Sequence, residues 1–297
     1  MGLGISAVQN FIELSNLGYF KDVKNILDMG AQELSLTNNE LKELFKIGGF
    51  ENETLENYPA NHHPQRPRVP AKYFYNSLNI NDCNNMDING DHGALVHDLN
   101  KPFEDKNQFN KYDIVTDFGN NEHVFNIGEC YRTMHNLTKA GGYMIIHQVV
   151  LNGNGYFNFD EGFFEGIAAA NGYKTIYSSY VVRFPDKENI STHDFHIPRN
   201  KDLVNILDLS KLESLSIYGV LQKVKNEDFK IPYQDGLMRK TYNMTGGFNR
   251  VYLQNSMASV YVPSATISIQ DARLKTILKA LFDKIKLIIR IKTAKKK

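Results

Sequence analysis

The stretch that decides the fold is Lys24-Asn25-Ile26-Leu27-Asp28-Met29-Gly30-Ala31-Gln32-Glu33-Leu34. A short apolar run ends at the acid Asp28, and Gly30 follows where the chain must turn. The Ile-Leu pair and the length of the run predict a buried strand. A glycine just beyond a strand permits a sharp bend and lets a ligand approach the main chain. Open α/β sheets bind ligands at such a place, beyond the carboxyl end of a central strand.

The rest of residues 5–224 alternates between helical and strand-like patterns. Apolar residues at helical spacing predict helices at residues 5–17, 37–45, 124–137 and 157–171. Apolar runs predict strands that begin near residue 23 and continue with 113–118, 143–150, 173–182 and 215–224. Two more short strands end in Asp87 and Asp98. This alternation predicts an α/β fold, with a parallel sheet covered by helices on both faces.

Two segments fall outside the alternation. At about residues 47–72 the chain is rich in proline, which excludes regular structure, and a long loop near a ligand edge suggests a lid. Residues 226–297 form a polar extension that ends in an amphipathic helix at 268–291, after which the charges are positive. The expected organisation is therefore a domain at 1–225 and an extension at 226–297. The basic helix could lie on an anionic membrane surface, or it could dock or form a homodimer.

Composition narrows the classes of protein. The formal net charge of +1 gives no general attraction to nucleic acid, so no nucleic-acid partner is expected. Two cysteines do not make a disulfide framework, which favours a reducing, cytoplasmic setting. His62-His63 and His193-x-x-His196 have ligand-like spacing, but no cluster of cysteines or carboxylates accompanies them. We therefore expect no metal site. His193 and His196 fall in a predicted loop at 186–200, which could shape the mouth of a substrate site.

Several segments together resemble the class I S-adenosylmethionine-dependent methyltransferases. Residues 26–30 resemble motif I of that family, Met86-Asp87-Ile88 resembles its ribose-binding strand end, and residues 137–142 resemble the turn before its fifth strand. Gly30-Ala31-Gln32, paired with Asp117-Phe118-Gly119-x-x-Glu122-His123, is similar to bacterial members with unassigned substrates. The resemblance implies a Rossmann-like, doubly wound, seven-stranded sheet whose last strand is antiparallel. The chain departs from the family pattern in keeping only one motif I glycine and in having Ala140 where proline is usual.

The chemistry of S-adenosylmethionine suggests which residues bind it. The cofactor has a ribose diol and no phosphate, so a carboxylate that accepts from two hydroxyls is more useful than a glycine-rich cradle. Asp87 suits the diol, and Asp98 could accept from the adenine amine; the alternative is that both acids cap turns. With the resemblance, the expected cofactor-binding residues are Asp28, Gly30, Ala31, Gln32, Asp87, Ile88, Asp98, Leu99, Asp117 and Phe118.

In the resembled fold the loop after strand four faces the reacting sulfur. His123 is therefore a candidate general base for a hydroxyl substrate, because an unperturbed imidazole titrates near neutrality. Glu122 could orient it, although the same loop could merely cap the next helix. His147, near the end of strand five, is a second candidate, and a hydrogen-bonded core histidine is its duller interpretation. The expected reaction is O-methylation of a hydroxylated small molecule or a saccharide acceptor.

Two other functions remain open from the sequence. A nicotinamide-dependent oxidoreductase would use the same sheet, but it would need Gly-x-Gly-x-x-Gly and an acid about 20 residues further on. Gly30 stands alone, and Asp87 lies 57 positions beyond it (87 − 30). A non-catalytic cofactor-binding or scaffold protein is the other alternative. Tyr156 and Phe157 could line a substrate pocket or simply pack a helix against the sheet.

Overall fold

A computed structural model of the 297-residue chain describes residues 2–36, 38–50, 69–160, 162–183, 194–198 and 212–233. All of these residues belong to one compact unit, which comprises residues 1–199 and 211–261. The central part of the proline-rich segment and the predicted helix at 268–291 lie outside the described residues.

The described chain forms helices and strands in alternation. The helices are α1 (Ile5–Asn16), α2 (Asn38–Gly48), α3 (Lys72–Ser77), α4 (Ile127–Leu137) and α5 (Gly162–Asn171). The strands are β1 (Gly2–Leu3), β2 (Asn25–Met29), β3 (Glu33–Leu34), β4 (Val69–Pro70), β5 (Asp82–Asp87), β6 (Leu95–Val96), β7 (Tyr112–Phe118), β8 (Thr138–Leu151), β9 (Lys174–Arg183), β10 (Asp194–Pro198) and β11 (Ser214–Gln222).

The main sheet has the strand order β10-β9-β11-β8-β7-β2-β5-β6. Strands β6, β5, β2, β7 and β8 pair in parallel, whereas β11 is antiparallel to both of its neighbours, β8 and β9. The predicted doubly wound, Rossmann-like sheet with an antiparallel last strand is therefore confirmed. An eighth strand, β10, extends the sheet by pairing antiparallel with β9.

Helices cover both faces of this sheet, because the side chains of each central strand alternate between two cores. On β2, Ile26 belongs to the core that also contains Phe11 of α1 and Phe74 of α3. The next residue, Leu27, belongs to the core that contains Met134 of α4. The near-continuous burial of β2 and β7 follows from this double cover.

Several element boundaries differ from the predicted ones. The predicted helix at 157–171 begins only at Gly162, because the amides of Phe157 and Phe159 donate to carbonyl oxygens of Glu122 and Val149. The predicted helix at 124–137 begins at Ile127 and follows a short 3₁₀ turn at 121–123. The predicted loop at 186–200 contains the strand β10, in which His196 is buried.

A second sheet has three short strands, of which β3 and β4 follow Gly30 along the chain and β1 lies near the N-terminus. Its order is β1-β3-β4, with β1 parallel and β4 antiparallel to β3. Val69 and Pro70, at the described end of the proline-rich segment, form a strand where the sequence patterns predict no regular structure, and they pair with Leu34 and Glu33 just beyond Gly30. Among the described residues, no helix is long and apolar enough to cross a membrane.

Candidate functional site

The bend after β2 is tight enough to require glycine at position 30. Gly30 has a φ of +85°, a left-handed conformation that other residues adopt at a cost. Its amide donates to the carbonyl oxygen of Met86 on the neighbouring strand, at 2.7 Å. A Cβ atom at this position would lie 2.5 Å from Oδ1 of Asn120. The backbone of the bend is thus in direct contact with the loop that follows β7.

Asp87 lies at the same bend, although 57 positions separate it from Gly30 in the sequence (87 − 30). The amide of Ala31 donates to Oδ2 of Asp87 at 2.8 Å, and the amide of Asn89 donates to Oδ1 at 3.3 Å. Each carboxylate oxygen has two lone pairs, so both can accept further hydrogen bonds from a ligand. The glycine bend and the carboxylate therefore meet at one edge of the sheet, with the carboxylate already oriented.

Asp28 points away from this edge and into the core under the bend. Its Oδ1 accepts hydrogen bonds from the hydroxyls of Tyr75, at 2.9 Å, and of Thr116. Burial raises the pKa of Asp28 to about 7, even though both hydroxyl donors act in the opposite direction. This arrangement ties β2 to α3 and β7, so Asp28 supports the bend from below.

The predicted cofactor residues that follow β2, β5 and β6 differ in exposure and in hydrogen bonding. Gln32 is buried and donates from Nε2 to the carbonyl oxygen of Met29 at 2.7 Å, which closes the bend. Ile88 is 65% exposed beside Asp87, and Leu99 is buried in the core under α4. Oδ1 of Asp98 accepts from the amide and the side chain of Asn100, and these bonds lower the pKa of Asp98. Asp98 thus caps its own turn in this structure.

A buried acid holds the loop after β7. Oδ1 of Asp117 accepts from the amides of Asn120 and Asn121 at 3.0 and 3.1 Å, and Oδ2 accepts from Nε2 of Gln148. Burial raises the pKa of Asp117 to about 7. Phe118 packs on the opposite face of the sheet, near Phe11 of α1. Both predicted cofactor residues therefore fix the start of the loop.

Glu122 connects this loop to the loop after β8. Its Oε2 accepts from the amide of Val149 at 3.3 Å, and its carbonyl oxygen accepts from the amide of Tyr156 at 2.8 Å. Its Oε1 lies 3.4 Å from Nε2 of His123. Burial raises the pKa of Glu122 and lowers the pKa of His123. A neutral imidazole is the form that can accept a proton from a substrate.

The side chain of His147 contacts residues of β11. Its Nε2 lies 2.7 Å from Oγ of Ser216, and its ring packs against Tyr218 in the core under α1. Its carbonyl oxygen accepts from the amide of Gly119 at 2.9 Å. The contacts of the His147 side chain are thus those of a hydrogen-bonded core histidine, while its main chain steadies the loop after β7.

The structure identifies a further site residue, Asn120, that the sequence patterns do not single out. Its Oδ1 touches the Gly30 bend, and its Nδ2 is buried without a hydrogen bond to any described residue. Unsatisfied buried donors are uncommon and mark strained or functional positions. In the sequence, Asn120 is marked only by its position directly after Gly119, beyond the fourth parallel strand.

A side-chain contact between a histidine and a glutamate crosses the rim of the candidate site. Nε2 of His92 lies 2.8 Å from Oε1 of Glu33, and the two side chains are 20% and 17% exposed. Glu33 follows the Gly30 bend and His92 follows Asp87, so the pair links the two loops that carry the bend and the carboxylate. The described residues contain no group of three or more histidines, cysteines or acids that could hold a metal ion. His62, His63 and His193 lie outside the described residues.

Comparisons with known proteins give only distant similarities. No protein-family model matches the chain, and no curated protein matches its sequence. Among solved structures, it is similar to a SAM-dependent methyltransferase from Archaeoglobus fulgidus, at 12% identity and a TM-score of 0.39, over 74% of this chain and 94% of that one. It is also similar to 1,6-didemethyltoxoflavin-N1-methyltransferase from Burkholderia thailandensis, at 11% identity and a TM-score of 0.38, over 74% and 80% of the two chains. A third similar structure is YcgJ from Bacillus subtilis, at 10% identity and a TM-score of 0.36, over 74% of this chain and 98% of that one.

Proposed function

We propose that this protein is an S-adenosylmethionine-dependent methyltransferase. The observation that carries the proposal is the hydrogen bond from the Ala31 amide to Asp87, which joins the glycine bend to a carboxylate at the carboxyl edge of the sheet. A carboxylate that can accept from two hydroxyls, beside a glycine turn that a ligand can approach, suits a nucleoside that lacks phosphate. The buried Nδ2 of Asn120, which makes no hydrogen bond within the described part of the chain, provides a donor at the same corner.

The described residues suit the parts of the cofactor as follows. Asp87 would accept from the two ribose hydroxyls, and the exposed side chain of Ile88 would cover one face of the adenine. Asp98 would accept from the adenine amine through a lone pair that Asn100 does not use. The amino-acid end would lie along the Gly30 bend, which Asp28, Ala31 and Gln32 hold in shape and which Asn120 borders.

When bound, the cofactor supplies a methyl group on a positively charged sulfur. His123 would accept the proton of the acceptor hydroxyl while the new oxygen–carbon bond forms and the sulfur–carbon bond breaks. Glu122 would stabilise the imidazole after it takes up the proton, because its Oε1 lies 3.4 Å from the buried Nε2 of His123, a contact that becomes an ion pair only when the ring is protonated. Asp117 and Phe118 would keep the loop in place, so that acceptor and cofactor meet in line. The proposed acceptor is a hydroxylated small molecule or a sugar, and the proposed reaction is O-methylation.

The bend itself argues against a nicotinamide cofactor. A dinucleotide needs two further glycines so that its pyrophosphate can approach the helix that follows the first strand. Here Gln32 is buried in the bend and a short strand, Glu33–Leu34, follows in place of a helix. These features support a site for a nucleoside diol over a site for a pyrophosphate.

Calorimetry with S-adenosylmethionine and with NAD tests the proposal. We expect the wild-type protein to bind S-adenosylmethionine and not NAD, and we expect Asp87→Ala to weaken binding by about a hundredfold, since it removes two charge-assisted hydrogen bonds. Asp82→Ala is the matched control, because it removes an exposed acid from the other end of β5. Binding of NAD alone, or equal affinity in Asp87→Ala and wild type, would contradict the proposal. Binding without methyl transfer to any hydroxylated acceptor would favour a non-catalytic binding protein.

A further inference from the structure

Two large aromatic side chains project into solvent beside the proposed site. Phe125 is 78% exposed and Tyr156 is 74% exposed. Their ring centroids are 6.5 Å apart, and their planes are nearly perpendicular, at 86°. Phe125 lies on the loop after β7 and Tyr156 on the loop after β8. We call this the aromatic pair.

The backbone on which the pair stands is well anchored. The amides of Tyr156 and Phe157 both donate to the carbonyl oxygen of Glu122, at 2.8 and 3.3 Å. A Cβ on Gly155 would lie 2.7 Å from the same oxygen, so the two loops are in close contact there. On the other side, the amide of Val124 donates to the carbonyl oxygen of Asn121 at 3.1 Å. The exposure of the rings is therefore a feature of a fixed surface.

The aromatic pair continues the proposed active site outward. The loop that carries Phe125 begins at Asn120, which touches the Gly30 bend, and passes through the candidate base His123. Glu122 makes contact with both loops and with His123. Along this loop, the candidate base His123 thus lies between Asn120, which touches the bend, and Phe125, which carries one of the rings.

The surroundings of the pair indicate the class of molecule. Asn154 and Asn158 are exposed on the loop after β8, and amide side chains offer both donors and acceptors. Asn126 is exposed on the loop after β7; its Nδ2 donates to the carbonyl oxygen of Asn100 at 2.9 Å, so it contributes chiefly its Oδ1 acceptor. Perpendicular rings cannot clamp a flat molecule between them, but each leaves a face open for apolar contact. A pyranose ring has an apolar C–H face and a rim of hydroxyls, which fits open aromatic faces bordered by amides.

We propose that Phe125 and Tyr156 form the acceptor platform and that the acceptor is a pyranoside. Its C–H face lies on the aromatic pair, its outer hydroxyls bind the exposed amides, and one inner hydroxyl reaches His123. This inference rests on the proposed function, and it replaces the broad class of hydroxylated acceptors with one class of sugar.

The chain contains no tryptophan, so Tyr156→Trp creates a single fluorescent reporter within the platform. The probes are methyl α-glucopyranoside, methyl α-galactopyranoside and methyl α-mannopyranoside, with catechol as a flat aromatic comparison, each added in the presence of S-adenosylhomocysteine. We expect at least one pyranoside to give a saturable change in emission. We expect Phe125→Ala in the same background to weaken that sugar by about tenfold, because a stacking surface is lost. Ile47→Ala, at a 63% exposed apolar residue of α2, is the control and should change nothing.

The other outcomes are distinct. Saturation by catechol alone would overturn the inference in favour of an aromatic acceptor. No response to any pyranoside, together with dissociation of a dimer by Phe125→Ala in analytical ultracentrifugation, would assign the pair to self-association. No response and no change in oligomeric state would also overturn it. Calorimetry with S-adenosylmethionine distinguishes failure of the proposed methyltransferase function from failure of the pyranoside inference. If the wild-type protein does not bind the cofactor, the proposed function fails. If it binds the cofactor but no pyranoside, only the inference about the acceptor fails.

Discussion

Replacing Gly30 with alanine tests the contact between the bend after β2 and the loop after β7. Two costs follow from the structure. The φ of +85° places an alanine in the left-handed region, which costs about 1 kcal/mol. In addition, the new Cβ would lie 2.5 Å from Oδ1 and 2.8 Å from Cγ of Asn120, so this side chain must move. We expect the free energy of unfolding to fall by about 1–3 kcal/mol in total.

The same substitution should weaken cofactor binding. Displacement of Asn120 changes the corner where the amino-acid end of the cofactor is proposed to lie, and a loss of about 1.4 kcal/mol there corresponds to a tenfold rise in the dissociation constant. Urea unfolding measures the first effect and calorimetry with S-adenosylmethionine measures the second. Gly18→Ala is a matched control, because Gly18 has a φ of +82° and no atom within 4 Å of its would-be Cβ. It should show the backbone cost alone and leave the cofactor affinity unchanged.

A double-mutant cycle separates strain from clash. If the carboxamide of Asn120 causes part of the damage, Gly30→Ala should cost about 1 kcal/mol less in an Asn120→Ala background than in wild type. Equal costs in both backgrounds would show that the contact is not repulsive. Unchanged cofactor affinity in Gly30→Ala, measured beside a weakened Asp87→Ala, would remove the bend from the binding site and refute the reasoning.

Three further outcomes are expected. The folded-state pKa of Asp28 is raised to about 7, so the native state binds more protons than the unfolded state between about pH 4 and 7, and stability falls as pH rises through that window. Asp28→Asn keeps the Oδ1 acceptor but does not titrate. Urea unfolding of this variant should show a decline that is flatter by up to about 1 kcal/mol per pH unit. His123→Ala should lower turnover by about a hundredfold with little change in cofactor affinity, and unchanged single-turnover rates would take His123 off the catalytic list. Lys223 is buried and donates from Nζ to Oδ1 of Asn110 and to the carbonyl oxygens of His135 and Thr138 at 2.7–2.8 Å. Lys223→Met leaves these three acceptors without their donor and should lower the free energy of unfolding, measured in urea, by about 2–4 kcal/mol. Lys225→Met, at an exposed neighbour, should lower it little.

Local patterns were sufficient to predict the sheet and the meeting of the Gly30 bend with Asp87, where we propose that the ribose diol binds. The run from Ile26 to Gly30 encodes a buried strand and a forced bend in adjacent residues, and Asp87 ends a strand in the same way. Because parallel strands end at a common edge, these two features had to meet once the order of strands was known. The hydrogen bond from Ala31 to Asp87 is the observed consequence.

The partners of the loop after β7 were not predictable in the same manner. Asn120 reaches Gly30 only because β2 and β7 pair with Ile26 opposite Ile114, a register that no local pattern encodes. The sequence predicts Glu122 as a residue that could orient His123. It does not predict that its carboxylate accepts from Val149 and its carbonyl oxygen from Tyr156, because these contacts depend on the path of the loop after β8. His196 was expected in a loop, because the pairing of β10 with β9 is a long-range feature of a short, weakly patterned strand.

The two buried acids of this loop explain how one short segment can serve both sides of the proposed reaction. Asp117 fixes the beginning of the loop through the amides of Asn120 and Asn121, and Glu122 fixes its end through Val149 and Tyr156. The residues between the anchors and just beyond them are those that face ligands in our proposals: Asn120 toward the cofactor, His123 toward the acceptor hydroxyl and Phe125 toward the acceptor ring. Because a site held by its supporting contacts reacts faster than a loose one, substitutions at Asp117 or Glu122 should impair cofactor binding and acceptor binding together, whereas substitutions at Asp87 or Phe125 should impair only one of them.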